Sequence, residues 1–430
     1  MRKINKVNCN FEREPLSGLF GFKGGYLSEL WQSVVGLENS SGQSGLGLGT
    51  QSVLWSDSEI FTRYPEAVGN SMMFMTTAFA AKKAGEIGWD TPMGLNDSLL
   101  PLVHEYAKKI TSNPGLRLTF ALNAMVAVDN AAWMLHCREK GIGSFDAMLP
   151  AEFKPALSSR HDKLSCIPLI SYKVHVGDIA KSIDQGYGLL KIKIGSDPEG
   201  DGDLGKMLEW DKQRLTEIHR VANDRKTPHT ESGHVLYYLD ANGRYDSKDR
   251  LMRFLEHAGK IGALDRIILL EEPFPEEMEM NVADIPVRLA ADESAHSDRE
   301  ALARIEMGYG AVALKPIAKT MSMSLKIAKL AKDKNIPCFC ADLTVNPILV
   351  DWNKNVASRL SSLPGMKIGV LESNGHQNYR NWETMKSYHP CAGSPWTEIK
   401  DGVFHLGENF YRSSGGIFEV SRHYSSLLKQ

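Results

Sequence analysis

The sequence lacks an excess of either charge: 50 Lys and Arg stand against 52 Asp and Glu, a net charge of -2 over 430 residues. With no basic block, there is no electrostatic footprint for nucleic acid or an anionic membrane surface. Cysteine is scarce. Cys9, Cys137, Cys166, Cys338, Cys340 and Cys391 form no C-x-x-C pair, which excludes the usual zinc and disulfide frameworks. Reduced thiols in a reducing compartment are expected. The opening Met1 to Lys6 is basic but has no apolar stretch behind it, so no signal peptide is expected. No segment reads as long and apolar enough to span a bilayer. These absences point to a cytoplasmic enzyme or binding protein, in two or three domains.

The chain changes rhythm twice. Residues 1 to about 90 read as β-rich, with Gln51-Ser52-Val53-Leu54-Trp55 as one strand. Ser44 to Gly49 alternates glycine with serine or leucine. No Gly-Lys-Ser/Thr and no helix follow, so a phosphate loop is not expected. The glycine-rich Phe20–Tyr26 segment suits either a loop over a pocket or an ordinary turn. Two helices follow, Leu99 to Ile110 behind an Asn96-Asp97-Ser98 cap and Leu118 to Lys140 before Gly141. Met125, Asp129 and Trp133 share one side of the second.

From about 166, short apolar runs alternate with helices. The predicted strands are 167–172, 189–194, 235–240, 266–271, 287–292, 311–315, 337–342 and 367–372. The predicted helices are 177–185, 204–224, 248–259, 297–307, 320–333 and 350–361, with only a short segment near 276–284. Eight β units of this kind argue for a parallel sheet, and eight is the number that closes a filled barrel.

Five of these runs end in charge: Lys191-Ile192-Lys193, Asp240, Glu271-Glu272, Asp292-Glu293 and Lys315. Buried parallel strands have no packing reason to finish that way, so a common charged rim is expected. Alternation puts Lys191 and Lys193 on one face and Leu190, Ile192 and Ile194 on the other. Solvated edge lysines would be the bland alternative. Asp240, Glu271 and Asp292 are spaced by 31 and 21 positions, about one βα unit each. Converging carboxylates resist ionising together unless a cation joins them, and an all-oxygen set with open positions suits Mg2+. Strand parity leaves Glu271 against Glu272, and Asp292 against Glu293, undecided. Cys338 and Cys340 read as small buried thiols rather than a soft-metal site. A metal flanked by lysines suits removal of the proton next to a carboxylate. The metal stabilises the enediolate, and lysine serves as base.

This ordered set resembles the enolase superfamily, on its muconate-lactonizing and dipeptide-epimerase side. The resemblance rests on Lys191-Ile192-Lys193, Asp240-Ala241-Asn242, Glu271-Glu272-Pro273, Ala291-Asp292-Glu293-Ser294 and Leu314-Lys315-Pro316. It implies a modified TIM barrel, (β/α)7β, over residues 156–394. It implies an α+β capping domain built from residues 1–155, with a C-terminal tail, 395–430, returning to it. It further implies Mg2+ on Asp240, Glu271 and Asp292, with Lys193 and Lys315 as bases and Lys191 stabilising the enolate oxygen. Asn242 and Glu293 become supporting partners, Asp342 and Glu372 substrate contacts, and Phe20–Tyr26 the loop that closes on substrate. Homo-oligomers are common among such barrels; these residues select none. The eighth strand reads Glu372-Ser373-Asn374 where dipeptide epimerases of the family carry Asp-x-Asp. The turn after Lys315 lacks the family's Gly-Gly, and strand seven carries no histidine. The expected function is Mg2+-dependent α-proton abstraction from a small carboxylate, leading to racemisation or epimerisation. A single lysine base would instead make a lyase, such as an acid-sugar dehydratase, or a cycloisomerase. A barrel that binds a ligand without turnover is the alternative from another class.

Overall fold

Three strands open the chain. In the computed structural model, which describes residues 3–22 and 25–429, β1 (Ile4–Phe22), β2 (Gly25–Asn39) and β3 (Ser44–Gln51) form an antiparallel sheet in that order. Gly45 and Gly47 on β3 press on the helix Leu118–Lys140. A Cβ at Gly45 would lie 2.1 Å from the Ala131 carbonyl oxygen, and one at Gly47 2.0 Å from that of Ala127. The alternate glycines thus let a strand meet a helix at backbone distance. Replacing Gly47 by alanine is expected to cost about 3 kcal/mol or more, since the obstacle is backbone and cannot rotate away. Urea denaturation measures this; an unchanged midpoint would contradict the packing argument.

Two expectations for this region are corrected. The run Val53–Trp55 is not a strand: Val53–Ser56 is a helical turn. The β3 ladder stops because Asn123 intervenes, accepting the Ser52 N–H (2.9 Å) and donating to the Thr50 carbonyl (2.9 Å). Residues Glu66–Glu86 form a 21-residue helix rather than strands. Its buried stripe is Gly69, Asn70, Met73, Thr76, Thr77, Ala80, Ala81 and Ala84, residues that, Met73 apart, are small or polar and carry little hydrophobic periodicity.

The helix Leu118–Lys140 ends at Gly141 in the left-handed conformation, φ 65°. By length and composition it is apolar enough to cross a membrane, contrary to expectation, but 94% of its apolar window is buried inside the protein. It is the core helix of the capping domain. Asp129 on this helix accepts the Ser322 N–H (3.0 Å) and hydroxyl. Burial outweighs those bonds and pushes its carboxyl up to about 7, against about 3.9 for a free aspartate. A raised acid contributes stability that is complete below the free value and lost as pH rises through the folded one. Stability of the native protein should therefore decline from about pH 4 to about pH 7 more steeply than that of Asp129→Asn. Parallel slopes in denaturation midpoints over that range would refute the assignment.

The second layer is the barrel. β4 (Lys163–Ile167), β5 (Leu169–Ile170), β6 (Leu189–Lys193), β7 (Leu236–Asp240), β8 (Ile267–Glu271), β9 (Leu289–Ala291), β10 (Ala311–Leu314), β11 (Cys338–Cys340) and β12 (Gly369–Glu372) run parallel. β4 and β5 are one strand interrupted at Pro168. β4 pairs with β12 and β5 with β6, so this strand closes an eight-stranded ring. Proline lacks the N–H that would continue the ladder, which is why the strand changes partner there. Inside the ring lie Ile167, Leu189, Leu236, Tyr238, Leu269, Ala290, Ala311, Ala313, Phe339 and Ala341. Leu190 and Ile192 face the outer helices, as the alternation requires. The helices Val176–Asp184, Leu204–Ala222, Lys248–Lys260, Asp298–Glu306, Met321–Asp333 and Pro347–Ala357 follow their strands. No helix separates β8 from β9 among the described residues.

The segment expected as a tail of the capping domain divides. Its hairpin, β13 (Ile399–Lys400) and β14 (Val403–His405), adds antiparallel to β4 of the barrel. Its last turns reach the first sheet, where Asn10 donates to the Leu427 carbonyl (2.8 Å). The two sides of the Phe20–Tyr26 segment pair as strand, Phe20 with Leu27 and Gly21 with Tyr26. Lys23 and Gly24, within that segment, lie outside the described residues.

Candidate active site

The C-terminal rim of the barrel gathers the charged strand ends around one cavity of about 50 Å3. Lys191, Lys193, Asp240, Asn242, Glu271, Asp292, Glu293, Lys315, Asp342 and Glu372 all line it, beneath Phe20 and Leu27 of the capping hairpin. Every residue singled out in the sequence for the site is therefore brought to one place. A cleft of about 500 Å3, walled by Tyr26, Tyr172, Lys173, Trp210 and Arg244, adjoins it and shares Phe20.

Lys191 is caged. Its ammonium lies 3.0 Å from Asp240 Oδ2, 3.0 Å from Glu271 Oε2 and 3.1 Å from Glu372 Oε2, over the Tyr238 ring at 4.6 Å. Burial alone would depress its pKa; the carboxylates of Asp240, Glu271 and Glu372 outweigh it and hold the group well above the ordinary lysine range. Lys193 sits 2.6 Å from Asp240 Oδ2 and donates to Asn242 Oδ1. Asn242 in turn donates to Glu293 Oε1 at 3.1 Å. Across the cavity Lys315 pairs with Asp292 Oδ2 and lies 4.7 Å above the Trp55 ring. It too is pushed down by burial and up, by more, by Asp292, Glu293 and Glu271.

The carboxylates respond in opposite directions. Burial would raise Asp240, but two lysines hold it down at about 2. Asp292 is likewise held well below its usual range by Lys315 and Lys319. Glu271 has only Lys191 close by and faces Asp292; burial and that neighbour push it up to about 8. Glu272 turns away with φ 40°. It accepts the Asp292 N–H (2.6 Å), the Ser294 N–H (2.9 Å) and the Ser294 hydroxyl (2.7 Å). The parity left open in the sequence thus resolves in space: Glu271 enters the cavity and Glu272 braces the next strand end. Asp292 and Glu293 both reach the cavity. Asp342 accepts the Asn374 N–H (2.8 Å), and its carboxyl is pushed up to about 6 by burial and Glu372. Cys338 and Cys340 pack outward, with the Cys338 thiol pushed up to about 12 by burial.

The donor set fits a hard divalent cation. Oxygens of Glu271, Asp292 and Glu293 lie within 4.8 Å of one another, and Glu271 Oε1 is buried with no hydrogen-bond partner. Asp240, expected beside Glu271 and Asp292 as a ligand, lies against Lys191 and Lys193, as Asp292 lies against Lys315 and Lys319. Asp240 is in register with Glu271 on the neighbouring strand, and both contact the same ammonium. Four buried lysines (191, 193, 315 and 319) are outnumbered by the buried carboxylates of Asp240, Glu271, Asp292, Glu293, Asp342 and Glu372. Such an imbalance in low dielectric calls for added positive charge.

Sequence reasoning missed Lys319 and Trp55. Lys319 is completely buried, with its ammonium 3.1 Å from Asp292 Oδ1. Its signal was a second lysine four positions after Lys315, in the turn before a helix. Trp55 gave none, because it reaches the site from the helical turn that was read as strand.

A parallel eight-stranded barrel under an α+β cap, with its charge at the strand C-termini, is the architecture of the enolase superfamily, and this chain has that fold. No family model matches the sequence, and no curated protein does. Solved structures carry the likeness. A mandelate racemase/muconate lactonizing protein from Herpetosiphon aurantiacus superposes with a TM-score of 0.65 at 15% identity, over 94% of this chain and 96% of that one. A dipeptide epimerase from Enterococcus faecalis V583, complexed with Mg and the dipeptide L-Leu-L-Tyr, gives 0.63 at 17% identity, over 94% and 98%. An N-succinyl Arg/Lys racemase from Bacillus cereus ATCC 14579 gives 0.59 at 16%, over 88% and 89%.

Proposed function

We propose that the protein is a Mg2+-dependent racemase or epimerase that abstracts the α-proton of a small carboxylate. One observation carries the reading: β6, with Lys193, and β10, with Lys315, are four strands apart in a ring of eight. They stand opposite each other, so their ammonium groups approach a molecule in the cavity from two sides. A substrate between them can lose its α-proton to one lysine in its neutral form, and the planar enediolate that results can take a proton on its other face from the opposite lysine's ammonium, which inverts the carbon.

In this reading Asp240, Glu271 and Asp292 would hold the ion. When bound, Mg2+ supplies the positive charge that stabilises an enediolate oxygen. Lys191, fixed by three carboxylates, adds a second positive charge at that oxygen. Asn242 orients Lys193, and Glu293 orients Asn242. Phe20 and Leu27 exclude water above the cavity. Asp342 and Glu372 face the substrate from the seventh and eighth strands. Glu372 is committed to Lys191 and to the Asp342 N–H at 3.0 Å, and Asp342 to the Asn374 N–H at 2.8 Å.

The test is α-proton exchange in deuterated water, screened over acid sugars, amino-acid derivatives and dipeptides. Both stereoisomers of an accepted substrate should wash in deuterium and interconvert. Exchange or turnover of one isomer only, with loss of water or ring closure, would replace racemase by lyase or cycloisomerase.

A further inference from the structure

A second cavity, of about 580 Å3, lies behind β12 and shares no lining residue with the active cavity. Alternation along the strand separates the two. Val370 and Glu372 turn into the barrel and Leu371 turns outward. Ser373 follows outward, its N–H still reaching the Ile167 carbonyl at 3.4 Å, and lines the second cavity. The helix Pro347–Ala357, the β13–β14 hairpin and the turns after β12 complete the walls. The volume falls among those of small-molecule sites, about 300–1,000 Å3.

Two of its lining residues carry a buried polar atom with no hydrogen-bond partner among the described residues. They are Ser373, at Oγ and only 1% exposed, and His376, at Nδ1. The other ring nitrogen of His376 lies 3.4 Å from the Tyr187 hydroxyl, also on the wall. Burial, aided by Lys386, pushes His376 down to about 4, so its ring is neutral at pH 7. A neutral imidazole has a donor at one nitrogen and an acceptor at the other, and a hydroxyl is both. Buried groups of this kind cost free energy unless they are paired, and a ligand carrying both a donor and an acceptor would pair them.

The charges of the wall cancel: Lys354, Lys386 and Lys400 stand against Glu383, Glu398 and Asp401. Lys386 is paired with Glu398 (2.7 Å) and Glu383 (2.9 Å), and Lys354 with Asp351 (2.6 Å). Lys400 and Asp401 are exposed neighbours at the hairpin turn. An ionic ligand would lose hydration there without gaining a dedicated counter-charge. Tyr187, Trp382 and Phe404 add flat apolar surface. Trp382 is itself backed by Tyr379, 6.2 Å away and 13° from parallel. We infer that this cavity is a second binding site, for a neutral planar ring bearing an amide-like donor and acceptor, held by Ser373 and His376 against the aromatic wall.

Benzamide, benzoate and benzamidine have one shape and three charges, and saturation-transfer NMR on the native protein compares them. Benzamide should bind saturably. Benzoate and benzamidine, read by how well each displaces it, should be about tenfold weaker or more. Ser373→Ala removes a hydroxyl that bonds to no described residue, so the fold should hold while benzamide affinity falls about fivefold. His376→Phe keeps a ring and removes both nitrogens, and should lower the affinity by a similar factor. Folded Lys315→Ala should bind benzamide as the native protein does, because Lys315 lines the other cavity. Absence of saturable benzamide binding, displacement by a charged probe at equal strength, or unchanged affinity in either Ser373→Ala or His376→Phe overturns the inference. Loss of benzamide binding in Lys315→Ala alone would put the probe in the active cavity and overturn it as well.

Discussion

Alanine at Lys315 is expected to slow interconversion of the two stereoisomers by about a thousandfold or more, the range set by losing a positioned general base. The loss should be lopsided. Lys193 still faces the cavity from the opposite side, held by Asp240 and Asn242, so it can still exchange the α-proton of the one isomer that presents it. Lys193→Ala should show the mirror pattern. Proton NMR in deuterated water, run on each isomer separately, follows both. Equal loss of exchange for both isomers in both variants would remove the two-base scheme. A folded double variant whose biological role is intact, in a protein that turns over none of the screened acids, would leave the barrel as a binding protein.

Asp292→Ala is expected to be the most destabilising single change at the rim, by about 3–5 kcal/mol. The carboxylate lies between Lys315 and Lys319, all three at most a few per cent exposed. Removing it leaves two buried ammonium groups facing each other without their shared counter-charge. Either they stay charged at high cost or one releases its proton, and both outcomes weaken the folded state. The same variant should lose Mg2+ binding. Urea denaturation and metal titration on one preparation read both effects. Native-like stability in Asp292→Ala would mean the lysines find other partners, and the charge balance drawn here would be wrong.

The barrel could be read from the sequence because its strands are short and apolar, and five of the predicted runs finish with a charge that packing does not require. Lys191 and Lys193 alternate with Leu190, Ile192 and Ile194, so even the face they occupy followed from spacing. The capping domain was harder. Glu66–Glu86 buries glycine, alanine, threonine and asparagine rather than leucine or valine, so its helical period is invisible to a hydrophobic scale. Val53–Trp55 is apolar and β-branched at its start, yet Asn123, seventy residues on, ends the ladder before it. The choice between Glu271 and Glu272 turned on a positive φ at Glu272, a backbone property that residue alternation does not encode. Lys319 was missed for a related reason: its burial against Asp292 depends on a turn strained at Thr320 and clamped by Asn96 and Asp129, contacts more than 190 positions apart in the chain.

The interruption at Pro168 has a mechanical consequence. The ring is closed by a strand that hands over from β12 to β6, and only two residue pairs join β5 to β6. Lys191 stands on β6 at that joint. Its ammonium grips Asp240 and Glu271 on one side and Glu372, on β12, on the other. It is a cross-brace over one of the barrel's short joints as well as a charge beside the reacting oxygen. Any substitution at Lys191 therefore loosens the cylinder while it weakens the chemistry, and a fall in activity there measures both at once.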